Sequence, residues 1–413
     1  MSTRREQCRI CGAKDLHLCL DLGSTPLANR FLKNANPGEP EPRFPLELYL
    51  CTGCSLLQLG HVVPGDVLFR DYIYVTGTSD TMPRHFADLA QTVTRRFLQN
   101  SATPLVVEAG SNDGTLLRAF ENNVRTLGVE PATNISELAR LRGVETVNDF
   151  FTERSARVIV HEKGPAAALL GNNVFAHVDD IHDFVRGARA LLASDGVFVF
   201  EVPYVFDMLD HVEFDTIYHE HLSYFSLTAL RTLFEKHQME IFDVERHAIH
   251  GGTIRVFVQK TGPALRQPSA AVASMLSDEQ RRKVNELGIY AEFAARVYKL
   301  RVDLCAMLKE LRAGGARIVG YGSPAKGNTL LNFMNIGSDL VDYLVDKSPL
   351  KQGLFTPGMR LPIYPVERLL ADRPQYALIL AWNFADEIVA QQSSYVAQGG
   401  RFLVPLPRPT WIN

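Results

Sequence analysis

The chain has 413 residues, 46% apolar and 22% charged, which predicts about two to four domains with buried cores and excludes wholesale disorder. Forty-three Lys and Arg against 46 Asp and Glu leave a net charge of −3, so bulk electrostatics offers no case for nucleic acid as a partner. No run reaches the about 18–20 apolar residues of a bilayer span, and the start, MSTRREQCRICG, has no apolar secretory core, so a soluble, cytoplasmic protein without a membrane partner is expected.

Four of the six cysteines fall in two tight pairs, Cys8 with Cys11 in C-R-I-C and Cys51 with Cys54 in C-T-G-C. Two residues between thiolates let a tight turn aim both sulfurs at one point, and two such knuckles supply the four tetrahedral ligands of structural Zn2+. The 39 residues between the knuckles suit a zinc ribbon with an inserted hairpin. Disulfides and redox chemistry are the other readings of such pairs, but nothing points to secretion and neither pair lies in a thioredoxin-like pattern. Cys19 and Cys305 lack such partners and are expected to pack. Zinc would hold a first domain, residues 1–80, whose own core is small. Inside it, NANPGEPEPRFP (34–45) is a loop, because its prolines suit neither a helix nor a central strand. At DYIYVTGTSDTMPRHF, Tyr72 and Tyr74 alternate as on a strand before Thr76, Gly77, Thr78 and Ser79. The segment is either a surface loop entering a helix from Pro83 to Phe97 or a loop covering a polar ligand.

The second domain, 81–262, opens with PLVVEAGSNDGTLLRAFENNVRTLGVEP: a buried strand, a glycine turn, a helix begun by TLLRAF, and a strand ending at Glu130. Gly110 and Gly114 permit a tight turn and close approach of a ligand to the backbone. Glu130, 20 residues after Gly110, is placed to accept both ribose hydroxyl protons. Glu108-x-Gly110-x-x-x-Gly114 differs from the G-x-G-x-x-G that holds a pyrophosphate, and acidic Asn112-Asp113 suits a cationic ligand without phosphates. S-adenosylmethionine, with a sulfonium, an ammonium and a ribose, meets that description. Asp149 and Phe150 follow a third strand, where they can cap adenine. Asn172 and Asn173 end a fourth strand, with His177 just beyond, expected on the substrate side. A helix, DDIHDFVRGARALL, and a fifth strand, GVFVFEVPY, complete the order of a class I methyltransferase core. An NAD-binding domain is the alternative.

Tyr218-His219-Glu220-His221 follows the fifth strand, in the region that faces the cofactor of a doubly wound fold. On a strand the two histidines would share a face, so metal binding, an ordinary packed loop and acid–base chemistry are all open. His250-Gly251-Gly252 turns between VERHAI and TIRVFVQK, either as a plain hairpin or as a place where a ligand approaches the backbone. Ser277-x-x-Gln280 reads as the capping box of a long helix, whose stripe from Leu287 to Leu311 is domain-packing core and which Gly314-Gly315 ends. The third domain, 263–413, then carries ARIVGYGSPAKGNTLLNF, a strand, the turn Gly320-x-Gly322-x-x-Ala325 and a helix, with Asp346 ending the next strand. In isolation this suggests NAD. Its helix start, with Ser323, Lys326 and Asn328, also suits a phosphate. Lys351 and Asn383 follow later strands, as solvated loop residues or as lining of the same cleft.

The paired C-x-x-C, EAGSNDGTLLR, FDTIYHEHLSYFS and GYGSPAKGNTLLNF, in that order along nearly the entire chain, resemble the C-methyltransferases of nucleotide-linked 4-keto-deoxysugars, such as TDP-sugar 3-C-methyltransferases. The resemblance implies an α/β architecture: a zinc-binding amino-terminal domain, a class I Rossmann-like methyltransferase core and a carboxy-terminal Rossmann-like domain, with the TDP-ketosugar between the last two. It implies S-adenosylmethionine and Zn2+ as cofactors. It assigns His221 as the base that makes a carbon nucleophile by removing a proton beside the ketone, with Glu220 and Tyr218 orienting the base or binding the sugar's oxygens. A zinc-domain tyrosine, Tyr72 in preference to Tyr74, would add a donor, with Tyr74 and His250 as substrate contacts. His219 stands where relatives often carry an acid, and Ser223-Tyr224 replaces a more aromatic pair, so the fit to the sugar is specific to this chain. An NAD-dependent nucleotide-sugar oxidoreductase or epimerase using the carboxy-terminal glycine turn is the rival function. The oligomeric state is not set by the sequence, and a monomer is compatible with it.

Overall fold

The computed structural model describes residues 2–36, 39–70, 76, 81–99, 101–262 and 266–413, the side chain of His250 excepted. Tyr72 and Tyr74 thus lie outside the described residues. Three main sheets organise the rest. The central one has seven strands in the order Thr146–Val147, Arg125–Val129, Leu105–Ala109, Ala166–Asn172, Leu192–Pro203, Thr253–Lys260 and Met239–His247. All its pairings are parallel except the two made by Thr253–Lys260. Its inner strands are continuous apolar runs because helices cover both faces: Val106, Val107, Leu169, Leu170, Phe198 and Phe200 are fully buried. This is the class I methyltransferase arrangement expected from the motif order.

A six-stranded sheet forms the carboxy-terminal layer, ordered Ile363–Tyr364, Leu344–Val345, Ile318–Tyr321, Tyr376–Ile379, Arg401–Val404 and Thr410–Ile412, parallel but for its last pair. The amino-terminal sheet pairs Leu16–Thr25, Phe44–Cys51 and Leu56–Leu59, and its fourth strand is Ser223–Tyr224. A strand from far along the chain thus completes the sheet of the cysteine knuckles, a connection that no local pattern announces.

Four local expectations need correction. TLLRAF forms only a 3-10 turn, Leu117–Ala119, because Phe120 is already extended on the way to the next strand. The glycine turn therefore opens onto no helix dipole. The Ser277-x-x-Gln280 pattern lies inside a helix, Ala270–Arg281; the long helix starts separately at Leu287 and runs to Ala313. Glu279 is fully buried in the first of these helices. Its carboxylate accepts from Leu227 N and Tyr204 Oη on one oxygen and from Thr228 N and Oγ1 on the other, capping the helix Leu227–Glu235 from outside. The stripe on the long helix is buried from Tyr290 to Leu308, but Leu287 is exposed. Finally, Tyr218–His221 is a turn closed by His221 N to Tyr218 O (2.8 Å), not a strand, so its two histidines point apart.

Candidate active site

The three layers meet around one cleft of about 630 Å³. It lies at the carboxyl ends of the central strands, where an open α/β sheet presents its loops. Gly110, at φ +65°, bends the chain so tightly that a Cβ there would stand 2.7 Å from Val174 Cγ2. Asn112, also left-handed at φ +47°, donates its N–H to Glu130 Oε2 (2.8 Å), and Ala132 N donates to Oε1 (2.8 Å). Burial raises the Glu130 pKa, and these two N–H donors oppose the rise. Gly110, Asn112, Glu130, Phe150, Asn172 and Asn173 all line the cleft, as do Phe151 and Thr76, whose N–H donates to Asn112 Oδ1 (2.9 Å).

Other members of the same motifs stand behind this wall. Asp113 turns its fully buried carboxylate to Thr115 Oγ1 (2.6 Å) and to Arg142, so it braces the turn rather than facing a cation. Gly114 packs against Val144, where a Cβ would stand 2.6 Å from Cγ2. Asp149 caps Phe150 N (2.8 Å) and pairs with Arg154. Glu108 is buried beside Asn172, its pKa well raised by burial. Glu108 Oε2 and both amide atoms of Asn172 are buried with no hydrogen-bond partner among the described residues. Orphaned polar atoms beside a glycine cradle and a cleft-facing acid fit a polar, phosphate-free ligand with a ribose.

Across the cleft stands the Tyr218–His221 turn. His221 Nδ1 lies 2.9 Å from Thr216 O, and a carbonyl can only accept, so Nδ1 carries the proton. Nε2 then bears the lone pair and accepts from Tyr218 Oη at 2.9 Å. His177 packs edge-on against His221, ring centroids 4.8 Å apart, and desolvation lowers its pKa to about 4. A neutral His177 adds no charge that would oppose an imidazolium on its neighbour. Glu220 sits behind, with both carboxylate oxygens on Asn29 Nδ2 (2.8 and 2.9 Å). Asn29 itself lines the cleft and was not singled out from the sequence. His219 turns the other way, to Phe44 O (3.2 Å), with its pKa lowered to about 4 by burial, and it takes no part in a metal site with His221.

The carboxy-terminal layer contributes Lys326, Lys347, Lys351, Asn383 and Asp346 to the cleft. Lys326 is half-buried with its Nζ covered, 4.4 Å from the centre of the Trp382 ring, and that Nζ has no hydrogen-bond partner among the described residues. Burial lowers its pKa while Asp215 and Glu213 oppose the change, and the two acids are raised by burial to about 6 and about 8. Trp382 Nε1 ties this group across the layers to Asp215 Oδ2 (2.7 Å). Lys351 Nζ donates to Ser323 O (2.8 Å), and Ser323 N to Asp346 Oδ2 (2.7 Å). Two expected contacts lie elsewhere. Asn328 donates to Ala28 O (2.7 Å), fastening the first domain, and Ser323 Oγ is buried outside the cleft lining. The glycines after His250 close down on acids instead of opening a port: a Cβ on Gly251 would stand 2.4 Å from Glu213 Oε1, and one on Gly252 2.4 Å from Asp207 Oδ2.

At one end of the strands of the first sheet, the sulfurs of Cys8, Cys11, Cys51 and Cys54 lie within 4.8 Å of one another, with Cys8–Cys54 and Cys11–Cys51 at 3.4 Å. Thiolates about 2.3 Å from a tetrahedral zinc stand about 3.8 Å apart, whereas a disulfide needs about 2.05 Å. The four sulfurs are thus a preformed zinc cage. Cys19 and Cys305 pack singly, as expected. Among the described residues, no helix is long and apolar enough to cross a membrane.

Family models match three consecutive stretches: a zinc binding domain at residues 8–69, a methyltransferase domain at 83–244, and a C-methyltransferase C-terminal domain at 248–407. The last covers the glycine turn that had suggested NAD. Among solved structures, magnesium protoporphyrin IX methyltransferase of Synechocystis PCC 6803 with bound S-adenosylmethionine aligns at 8% identity and TM-score 0.33, covering 43% of this chain and 79% of that one. A methyltransferase from Anabaena variabilis aligns at 15% and 0.35, covering 45% and 88%. C-methyltransferase NovU of Streptomyces niveus is 39% identical over 409 residues, 99% of this chain and 97% of its own. The chain belongs to the S-adenosylmethionine-dependent C-methyltransferases and carries a zinc-binding domain at its amino terminus.

Proposed function

We propose that the chain methylates a carbon, C3, beside the ketone of a TDP-linked 4-keto-deoxysugar. The polarity of the cleft carries this reading: the methyltransferase core lines it with Glu130, Asp179, Asp180 and Asp183, and the carboxy-terminal layer with Lys326, Lys347 and Lys351. A cationic cofactor suits the first set and a diphosphate the second, with Tyr218 and His221 on the same cleft wall. Asn383 and Asp346 would meet the nucleotide, and Asp346 is held by Ser323 N and Ser348 N. Glu130 would take the ribose hydroxyls, Phe150 and Phe151 the adenine, and Gly110, Asn112, Asn172 and Asn173 the amino-acid end.

His221 Nε2 removes the proton from C3, and the electron pair moves to the ketone oxygen. Thr216 O holds the Nδ1 proton of the resulting imidazolium, and Tyr218 Oη turns from Nε2 to the developing oxyanion, uncovering the lone pair as it supplies a donor. Glu220, fixed by Asn29, anchors the turn. Bound S-adenosylmethionine supplies the electrophilic methyl group that the enolate carbon takes up.

Mass spectrometry of products from methyl-labelled donor and a panel of TDP-4-keto-deoxysugars tests the reading. Label on C3 of a sugar is expected, and label only on oxygen, on nitrogen or on acceptors without a ketone would sink it. The cofactor assignment has its own check in Gly110→Ala. Left-handed backbone costs an L-residue about 1–2 kcal/mol and the new Cβ collides with Val174, so donor affinity by calorimetry should weaken about tenfold. Unchanged affinity would move the donor away from this turn.

A further inference from the structure

Arg9 lies between two zinc ligands, yet its side chain leaves the zinc knuckle and reaches the catalytic turn. The residue is 1% exposed. Its Nη1 donates to Leu222 O (3.1 Å) and to Leu59 O (3.2 Å), and its backbone N donates to Gln58 Oε1 (2.8 Å). Gln58 Nε2 returns a bond to Gln7 O (3.2 Å), so the amide of Gln58 holds the knuckle on both sides of Cys8. Leu222 is the residue after His221. Its carbonyl accepts from Leu59 N (3.0 Å) as well as from Arg9, and its own N–H donates to Ala176 O (2.8 Å), next to His177. The chain on either side of the His177–His221 contact is thereby pinned through one residue, Leu222. Nε of Arg9 stands 3.5 Å from Asp179 Oδ1, a carboxylate on the cleft wall that Arg5 also holds at 2.9 Å. A guanidinium buried this deeply costs several kcal/mol in lost hydration, and a plain structural contact would be met as well by an apolar side chain.

We infer that Arg9 is a positioning residue for the reaction: by gripping the carbonyl of Leu222 from the zinc knuckle, it sets the orientation of His221 Nε2 toward the substrate carbon. The inference rests on His221 being the base. Zinc holds the knuckle, the knuckle holds the Arg9 backbone, and the guanidinium carries that rigidity across to the turn. A guanidinium serves here because Nη1 meets both carbonyls while Nε of the same planar group faces Asp179, a reach that a lysine ammonium on a flexible stem lacks.

The test compares full-length, zinc-loaded Arg9→Met, Arg9→Lys and His221→Asn with the parent. Four quantities are read: zinc per chain, donor affinity, the split of kcat from KM, and exchange of the substrate's C3 proton with deuterated water in the absence of methyl donor. Arg9→Met should keep zinc and donor affinity within about twofold while kcat and proton exchange fall together by about tenfold or more, the scale of a small misplacement of a reacting group. Arg9→Lys, which keeps the charge and one donor and folds more readily, should recover part of both rates. A purely structural role would lower the yield of zinc-loaded chain but leave kcat and exchange per folded site unchanged, and that result overturns the proposal. If His221→Asn retains exchange, the base assignment falls and this inference with it. If His221→Asn abolishes exchange while both Arg9 variants exchange at the parent rate, only the role of Arg9 falls.

Discussion

Stripping the zinc is expected to abolish turnover and to loosen the Tyr218–His221 turn together with the first sheet. Cys8, Cys51 and Cys54 are buried at 2%, 0% and 3%, and Cys51 is the last residue of its strand, so the metal cage is part of the sheet's own core. Binding of a structural zinc is worth about 10–16 kcal/mol at neutral pH, more than the entire stability of many domains. Without it the strands Phe44–Cys51 and Leu56–Leu59 lose their closure. Ser223–Tyr224 then loses its only strand partner among the described residues, since it pairs with Leu57 and Gln58. Elemental analysis should find one zinc per chain. After chelation, hydrogen exchange should accelerate at 44–59 and again at 216–226, while the sheet from Ile318 to Ile412 stays protected. Cys51→Ser should reproduce both effects. Metal-free protein that turns over normally, or that stays protected at 216–226, would show that the zinc domain folds independently of the site.

That coupling also marks the limit of what the sequence exposes. Glu130 and Asp113 looked alike on paper, two acids flanking a glycine turn, but the left-handed Asn112 between Gly110 and Gly114 turns one side of the loop inward and leaves Asp113 behind it with Arg142. Chemistry-bearing residues at strand ends were legible because an open α/β sheet places all such ends on one edge: Glu130, Asn172 and Lys351 reach the cleft for that reason. Asn29 was invisible, since its bond to Glu220 spans 191 residues and no spacing rule links them. Lys326 was found from the helix start, but its burial under Trp382 and beside Asp215 depends on how two layers dock. For Tyr218–His221 the sequence left a strand and a loop both open, and the bond from His221 N to Tyr218 O makes it a turn that separates the histidines.

His221→Asn should lower kcat by about 10²–10⁴-fold, the range for losing a positioned general base, which corresponds to about 3–5 kcal/mol of transition-state stabilisation. Asparagine is chosen because its amide N–H can replace Nδ1–H toward Thr216 O and so keep the turn closed, while nothing replaces the Nε2 lone pair. The amide does not accept a proton near neutral pH, so the deprotonation step is removed without removing the fold. Donor affinity should stay within about twofold, because Glu130 and the Gly110 turn are carried by other strands, and KM for the sugar nucleotide should change little compared with kcat. C3 proton exchange with deuterated water should fall by the same factor as kcat, since both pass through the same enolate. A variant that methylates at the parent rate, or that loses methylation while still exchanging the C3 proton at the parent rate, would take the base away from His221 and leave the buried imidazole of His177 and the hydroxyl of Tyr218 as the groups close enough to serve.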